Sequence, residues 1–400
     1  MTIPALPDDT FRRMVDLRRH FHRHPELSFE EVETARAIMA ELDRLEIPYE
    51  YGGAGGGVVG RLAGTDRQGP TVALRAEMDA LPCSERTALA FASEAPDRMH
   101  ACGHDAHMAM LLGAAALLRA SPAAATTLLV FQPAEERGNG SLVMMRSGLL
   151  AGAEAIFAGH VTHHYELGEI MVSRGTITAR ADRFTIRVRG RGGHGARPHE
   201  AIDAVVIAGI LITTVQTLVS RAINPAFPSV VTIGSVRAGS APNIIAEDAV
   251  LEGTIRTTRA EARQQIVDGL HRIANSLAHL HNAEIAVTMG EWSPPVVNTD
   301  RETAIAHRAA QHVVGPEAVV EQEYPSMGAE DFSYYQHEIP GCYVRIGTRG
   351  SDGEYIPLHS PRFDVDEQAL KVGARFYERV VREAATGLTS AGGATAAETA

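Results

Sequence analysis

The chain has 400 residues with 45% hydrophobic content, enough apolar material for a large core and, by length, two domains more readily than one. Its formal net charge of −12 gives no bulk electrostatic support to a nucleic-acid or anionic-membrane partner. The opening MTIPALPDDTFRRMVDL lacks a basic region followed by an apolar signal core, and the longest apolar runs read as too interrupted to span a bilayer.

In PELSFEEVETARAIMAELDRL, Ser28 and Glu31 are spaced as a capping box, which predicts a helix starting there. Several short apolar runs then read as buried strands that end in polar residues. TVALR (71–75) runs into AEMDALP, TLLVF (127–131) into QPAEERG, and AIFA (155–158) into GH, while CYVRIG (342–347) precedes a loop carrying LHSP. Helical patterns at 106–119 and 141–150 lie between them. This alternation predicts an α/β domain with a mostly parallel sheet. GGGVVG (55–60) matches a dinucleotide fingerprint in outline, but VVGRLAG continues as strand instead of opening a helix. No G-x-S-x-G nucleophile elbow occurs.

Residues 183–297 change rhythm. RFTIRVRG alternates as a strand, and PHEAIDAVVIAGILITTVQTLVSR reads as a long helix with Pro198 at its start. Two strands, a second long helix and a last strand follow, giving the order β-α-β-β-α-β of a ferredoxin-like unit. The expected organisation is a discontinuous catalytic domain, 1–182 and 298–383, with an inserted satellite or dimerisation domain, 183–297. A low-complexity tail, 384–400, is expected to be disordered. Three cysteines, Cys83, Cys102 and Cys342, offer no disulfide framework and point to a reducing cytoplasm.

Ligands in open α/β sheets bind beyond the carboxyl ends of the strands. Asp79 follows TVALR, Glu135 and Glu136 follow TLLVF, His160 follows AIFA, and His359 lies beyond CYVRIG; Cys102 and His104 sit in MHACGHDAH ahead of a helix. Thiolate, imidazole and carboxylate at one rim suit two divalent transition-metal ions, with zinc favoured by the thiolate and cobalt, nickel or manganese also compatible. Adjacent glutamates on extended backbone point opposite ways, so one can bind metal while the other acts as base on a metal-bound water. The plainer alternative is an acidic pair complementing a helix start. Glycines around His194 in GGHGARPHE (192–200) let a loop present that imidazole outside its own domain, an incidental solvent histidine being the alternative. The tandem His163 and His164 read as solvated residues of a surface loop.

Taken together, RRHFHRHPELSFEE, RAEMDALP, MHACGHDAH, QPAEE, GRGGHGARPH, APNII, GTIRT, MGAEDF and LHSPRFD, spread from about residue 16 to 375, resemble the dinuclear-metal amidohydrolases. That family includes hippurate hydrolases, aminoacylases and auxin–amino-acid conjugate hydrolases. The resemblance implies metal ligands at Cys102, His104, Glu136, His160 and His359, and a general base at Glu135. It also implies that His194 reaches the active site across a dimer and that Asn243 and Arg256 hold the substrate carboxylate or carbonyl. Asp79, Asp105 and His107 read as supporting or packing residues around the ligands.

The reaction so implied is hydrolysis of an N-acyl amino acid by a hydroxide held between two metal ions. The expected assembly is a homodimer, or a tetramer, without nucleic acid or membrane. An aminopeptidase or dipeptidase would tolerate a free substrate amine, and a non-catalytic metal-binding module would not require Glu135. A thiol enzyme using Cys102 with His104 as base would survive chelation. The sequence also departs from its relatives, which commonly carry Trp-Pro where this chain has HVTHHYELG. Asn243-Ile244-Ile245-Ala246 replaces Asn-Val-Ile-Pro, and Cys83 and Thr87-Ala88 replace the usual Ile and Thr-Gly.

Overall fold

Thr71–Glu77, buried at every position after the first, lies at the centre of an eight-stranded sheet. A strand covered on both faces needs near-continuous apolar residues, and this segment and Thr126–Gln132 supply them. The sheet order is Tyr49–Tyr51, Val58–Leu62, Thr126–Gln132, Thr71–Glu77, Ala155–Glu166, Gly341–Arg349, Ile170–Met171, Val319–Val320. The four central strands run parallel; Val58–Leu62 and Ile170–Met171 pair antiparallel to their inner neighbours. The fold is therefore mixed α/β with a mostly parallel sheet. The computed structural model describes residues 3–350 and 353–388.

The chain divides into two compact units, Met1–Ile177 with Val296–Tyr324 and Asp331–Ala400, and Thr178–Pro295 with Pro325–Glu330. In the first, helix His104–Ala120 is buried almost throughout because it is apolar on all sides, Met108, Leu111, Leu112 and Ala115 included. The amphipathic helices Asp8–Arg23 and Ala369–Gly387 cover it with Met14, Leu17, Phe21, Phe376 and Val380.

The second unit carries a four-stranded antiparallel sheet ordered Ser229–Ala238, Asp248–Thr257, Arg180–Arg189, Glu284–Ser293. Phe184, Ile186 and Val188 alternate inward along Arg180–Arg189 and meet Ile207, Leu211, Val215, Ile266 and Leu270 from helices Ala204–Thr217 and Ala260–His281.

Several local expectations are corrected. Ser28 caps no helix: its hydroxyl donates to Asp79 at 2.7 Å, and the helix starts at Val32, where Glu26 accepts the N–H groups of Glu33 and Thr34. Pro198 opens only the short 3₁₀ turn Pro198–Glu200; the long helix starts at Ala204, capped by Asp203 through the N–H groups of Val205 and Val206. The strand begun by AIFA runs on to Glu166, so His160, His163 and His164 lie on it and not in a loop. Residues 384–387, expected to be tail, continue helix Ala369–Gly387, while 389–400 lie outside the described residues. The segment Ala204–Ala222 is long and apolar enough to cross a membrane by length and composition, contrary to the expectation above, but its Ile207, Leu211 and Val215 face form core of the second unit.

Candidate metal centre

Cys102 lies in a turn closed by the Gly103 N–H on the His100 carbonyl at 3.2 Å, His104 opens a helix, and Gly103 joins them at φ +84° in the left-handed region. A Cβ on Gly103 would lie 2.3 Å from Val161 Cγ2, so only glycine allows the loop this close to the strand carrying His160. One ligating atom each from Cys102, His104 and Glu136 lie within 4.8 Å of one another. His160 Nε2 is 3.4 Å from Cys102 Sγ, and His359 Nε2 is 3.4 Å from Glu136 Oε1. The five residues expected to bind metal thus come together in the first unit.

Hydrogen bonds set the tautomers. A carbonyl only accepts, so His104 Nδ1, 2.8 Å from the Asp79 carbonyl, carries the proton and, in the neutral ring, leaves a lone pair on Nε2. By the same reasoning His160 donates from Nδ1 to the Val161 carbonyl at 2.7 Å and presents a lone pair at Nε2. Among the described residues, buried His104 Nε2 and Glu136 Oε1 have no hydrogen-bond partner, an arrangement costly unless something else binds them. Both are donor atoms fit for a transition metal. Charge agrees with that chemistry. Burial lowers the His104 pKa, but Asp79, Glu77 and Glu136 outweigh it and push it up to about 10, so without a cation Nε2 also holds a proton, which a bound divalent ion would displace to free the lone pair. Burial, Glu136, Glu135 and Glu77 push the Cys102 thiol well above its ordinary value. A divalent cation among these groups would offset both effects.

Asp79 organises the glutamates. Its carboxylate accepts the backbone N–H groups of Glu135 at 3.1 Å and Glu136 at 2.9 Å, fixing the turn that follows strand Thr126–Gln132. Burial raises the Asp79 pKa, but bonds from His104, Ser28 and the Glu136 N–H prevail and lower it. Asp105 instead accepts from His22 Nδ1 at 2.9 Å and Arg18 Nε at 3.2 Å.

Sequence reasoning missed Glu77. Glu77, His104, His107 and His160 form a second cluster with ligating atoms within 4.8 Å. His107 Nε2 accepts the Val161 N–H at 2.9 Å while its Nδ1 donates to Glu77 at 2.8 Å. Both ring nitrogens are used, so this imidazole braces the strand beside His160 and has no lone pair to spare. Glu77 is in turn bonded to buried Arg75, which also meets Asp331 at 2.9 Å and Gln132 at 2.9 Å. The available signal was the charged RAE at the end of an otherwise apolar strand.

In the second unit, Gly193–His194 pairs antiparallel with Ile244–Ile245, and the Gly195 N–H donates to the Asn243 carbonyl at 2.9 Å. His194 and Asn243 are therefore neighbours, both exposed. His194 Nδ1 accepts the Ala196 N–H at 3.1 Å, which puts the neutral ring's proton on Nε2 as an outward donor. Arg256 is half-buried on strand Asp248–Thr257; burial and Arg183 lower its pKa.

Residues 73–383 match the model of peptidase family M20/M25/M40. The chain belongs to this family. This M20-family hydrolase is 38% identical over 368 residues to an N-acetylcysteine deacetylase of Bacillus subtilis, covering 91% of this chain and 95% of the relative. It is 37% identical over 380 residues to IAA-amino acid hydrolase ILR1-like 4 of Arabidopsis thaliana, with 93% and 86% covered. A crystal structure of a dinuclear metal binding M20 peptidase from Bacillus subtilis superposes with a TM-score of 0.80 at 34% identity, covering 94% of this chain and 98% of that one.

Proposed function

We propose that this M20-family hydrolase cleaves the amide of an N-acyl amino acid, releasing a carboxylic acid and a free amino acid, with two divalent metal ions per subunit. The observation that carries the reading is the convergence of Cys102, His104 and Glu136, with buried His104 Nε2 and Glu136 Oε1 making no hydrogen bond among the described residues. The names of the deacetylase and the amino acid hydrolase support the substrate class, and the dinuclear M20 peptidase supports two ions.

Cys102, His104, Glu136, His160 and His359 would hold the metals. Divalent ions bound there would polarise the carbonyl and lower the pKa of water toward neutrality. Glu135 takes the proton of the attacking water and delivers it to the leaving amine. His194 donates from Nε2 to the developing oxyanion, an interaction typically worth ~3 kcal/mol. Asn243 and Arg256 hold the substrate carboxylate or carbonyl. A thiol nucleophile at Cys102 is disfavoured, because burial and nearby carboxylates raise its pKa where a nucleophile needs it lowered.

The second unit is read as a ferredoxin-like satellite serving a homodimer in which His194 crosses to the partner's site. Exposed Val205 and Val206 beside Gly209 on its long helix, and Ile244 next to Asn243, support a self-association surface. Three free cysteines agree with a cytoplasmic setting.

The test is a panel of N-acetyl, N-benzoyl and longer N-acyl amino acids assayed with metal-free protein and with protein loaded with zinc, manganese, cobalt or nickel. Metal-dependent release of the free amino acid is expected. Cleavage of free-amine dipeptides alone would support the peptidase alternative, and inertness toward every substrate the binding-module one.

A further inference from the structure

His163, expected to be solvated, is 8% exposed on strand Ala155–Glu166, three residues beyond His160. Its Nε2 lies 2.9 Å from the Asp364 carbonyl, so that nitrogen carries the proton. Nδ1 then holds a lone pair and accepts the Ile356 N–H at 3.2 Å. The ring also packs on Phe363, with centroids 5.2 Å apart. One neutral imidazole therefore binds both ends of segment 356–364, and His359 lies between them.

His359 has φ +65°, a left-handed conformation that a non-glycine residue keeps only when its surroundings impose it. Its N–H donates to the Ala101 carbonyl at 2.9 Å, and the Pro361 carbonyl accepts the Arg86 N–H at 2.7 Å. These two bonds hold the middle of the segment; His163 holds its ends.

We propose that His163 is a positioning residue that clamps segment 356–364, presenting His359 to Glu136 and selectively strengthening the binding of one of the two metal ions. The proposal rests on His359 being a ligand, as read above. Its first consequence concerns the backbone and needs no metal. Its second is selectivity, since a general loss of stability would weaken both ions together.

His163→Phe keeps the ring and its packing while removing both bonds. In metal-free protein, hydrogen exchange at Ile356 and the following amides should accelerate relative to wild type and to a His164→Phe control. Stepwise zinc titration of the full chain should show one ion bound roughly 10–100-fold more weakly, the range typical for loss of an outer support, with the other unchanged. His359→Ala should lose the same ion. Wild-type exchange and affinities in His163→Phe overturn the clamp. Two ions bound at wild-type affinity in His359→Ala overturn the ligand reading and the metal consequence, while exchange still decides the clamp. If His163→Phe does not fold, His163→Gln, whose amide can serve one of the two bonds, must show the same pattern at smaller size; wild-type behaviour there overturns the proposal.

Discussion

Asp79 accepts the backbone N–H of Glu136 at 2.9 Å through one carboxylate oxygen while the other takes that of Glu135. One buried aspartate thus fixes the turn that presents both glutamates. Asp79→Asn turns one of these acceptors into a donor facing an N–H. Metal affinity should fall roughly 10–100-fold, and calorimetry should show a lower Tm. Unchanged metal titration would mean that the turn is held without Asp79.

Glu135 and Glu136 should fail differently. Glu135→Gln is expected to keep its metal and lose kcat by roughly 10²–10⁴, whereas Glu136→Gln should lose metal as well. Elemental analysis beside the rate measurement separates them, and the reverse pattern would swap the two roles.

Chelation should abolish amide hydrolysis and a divalent transition metal restore it. Cys102→Ser should fold normally but bind metal more weakly, because a neutral hydroxyl replaces a thiolate poorly. Full activity in protein verified as metal-free would exclude the proposed mechanism and revive the thiol reading.

His194→Ala should lower kcat without changing metal content. Mixed with Glu135→Gln, it should regain activity on subunit exchange, up to about half of wild type if the sites are independent. A heterodimer sets the intact His194 of one chain against the intact Glu135 of the other. Exchange proved by mass spectrometry without recovery would place His194 within its own chain's site or outside the chemistry.

Burial lowers the His22 pKa, but hydrogen bonds to Asp105 and Glu85 prevail and push it up to about 9. The unfolded value is about 6.5. A raised folded-state pKa gives stability that is complete below about pH 6.5 and lost as pH rises to about 9, on the order of 3 kcal/mol at most. Tm should therefore fall over that window, and His22→Phe should flatten the fall while lowering Tm at pH 6. Parallel wild-type and variant curves would show that His22 does not gain its proton on folding.

The sequence by itself determined the central strands, some of the long helices and the residue types of the candidate site, because those signals are local. TVALR, TLLVF and CYVRIG are apolar over most of the length of one strand, and a thiol, three imidazoles and paired glutamates beside strand and helix ends advertise metal chemistry without reference to distant partners. Only the tertiary structure decided which groups those residues meet. Ser28 and Glu31 have capping-box spacing, yet Ser28 donates to Asp79 and Glu31 accepts the Ala134 N–H, because buried polar groups on neighbouring elements compete for the same bonds. His163 looks like half of a solvated pair until strand Ala155–Glu166 extends past His160 and segment 356–364 closes over it. The tautomers of His104, His107 and His160 depend on carbonyl, amide and carboxylate partners at residues 79, 77 and 161. Periodicity records which face a residue turns inward; the bond it makes there depends on what long-range packing brings to that face.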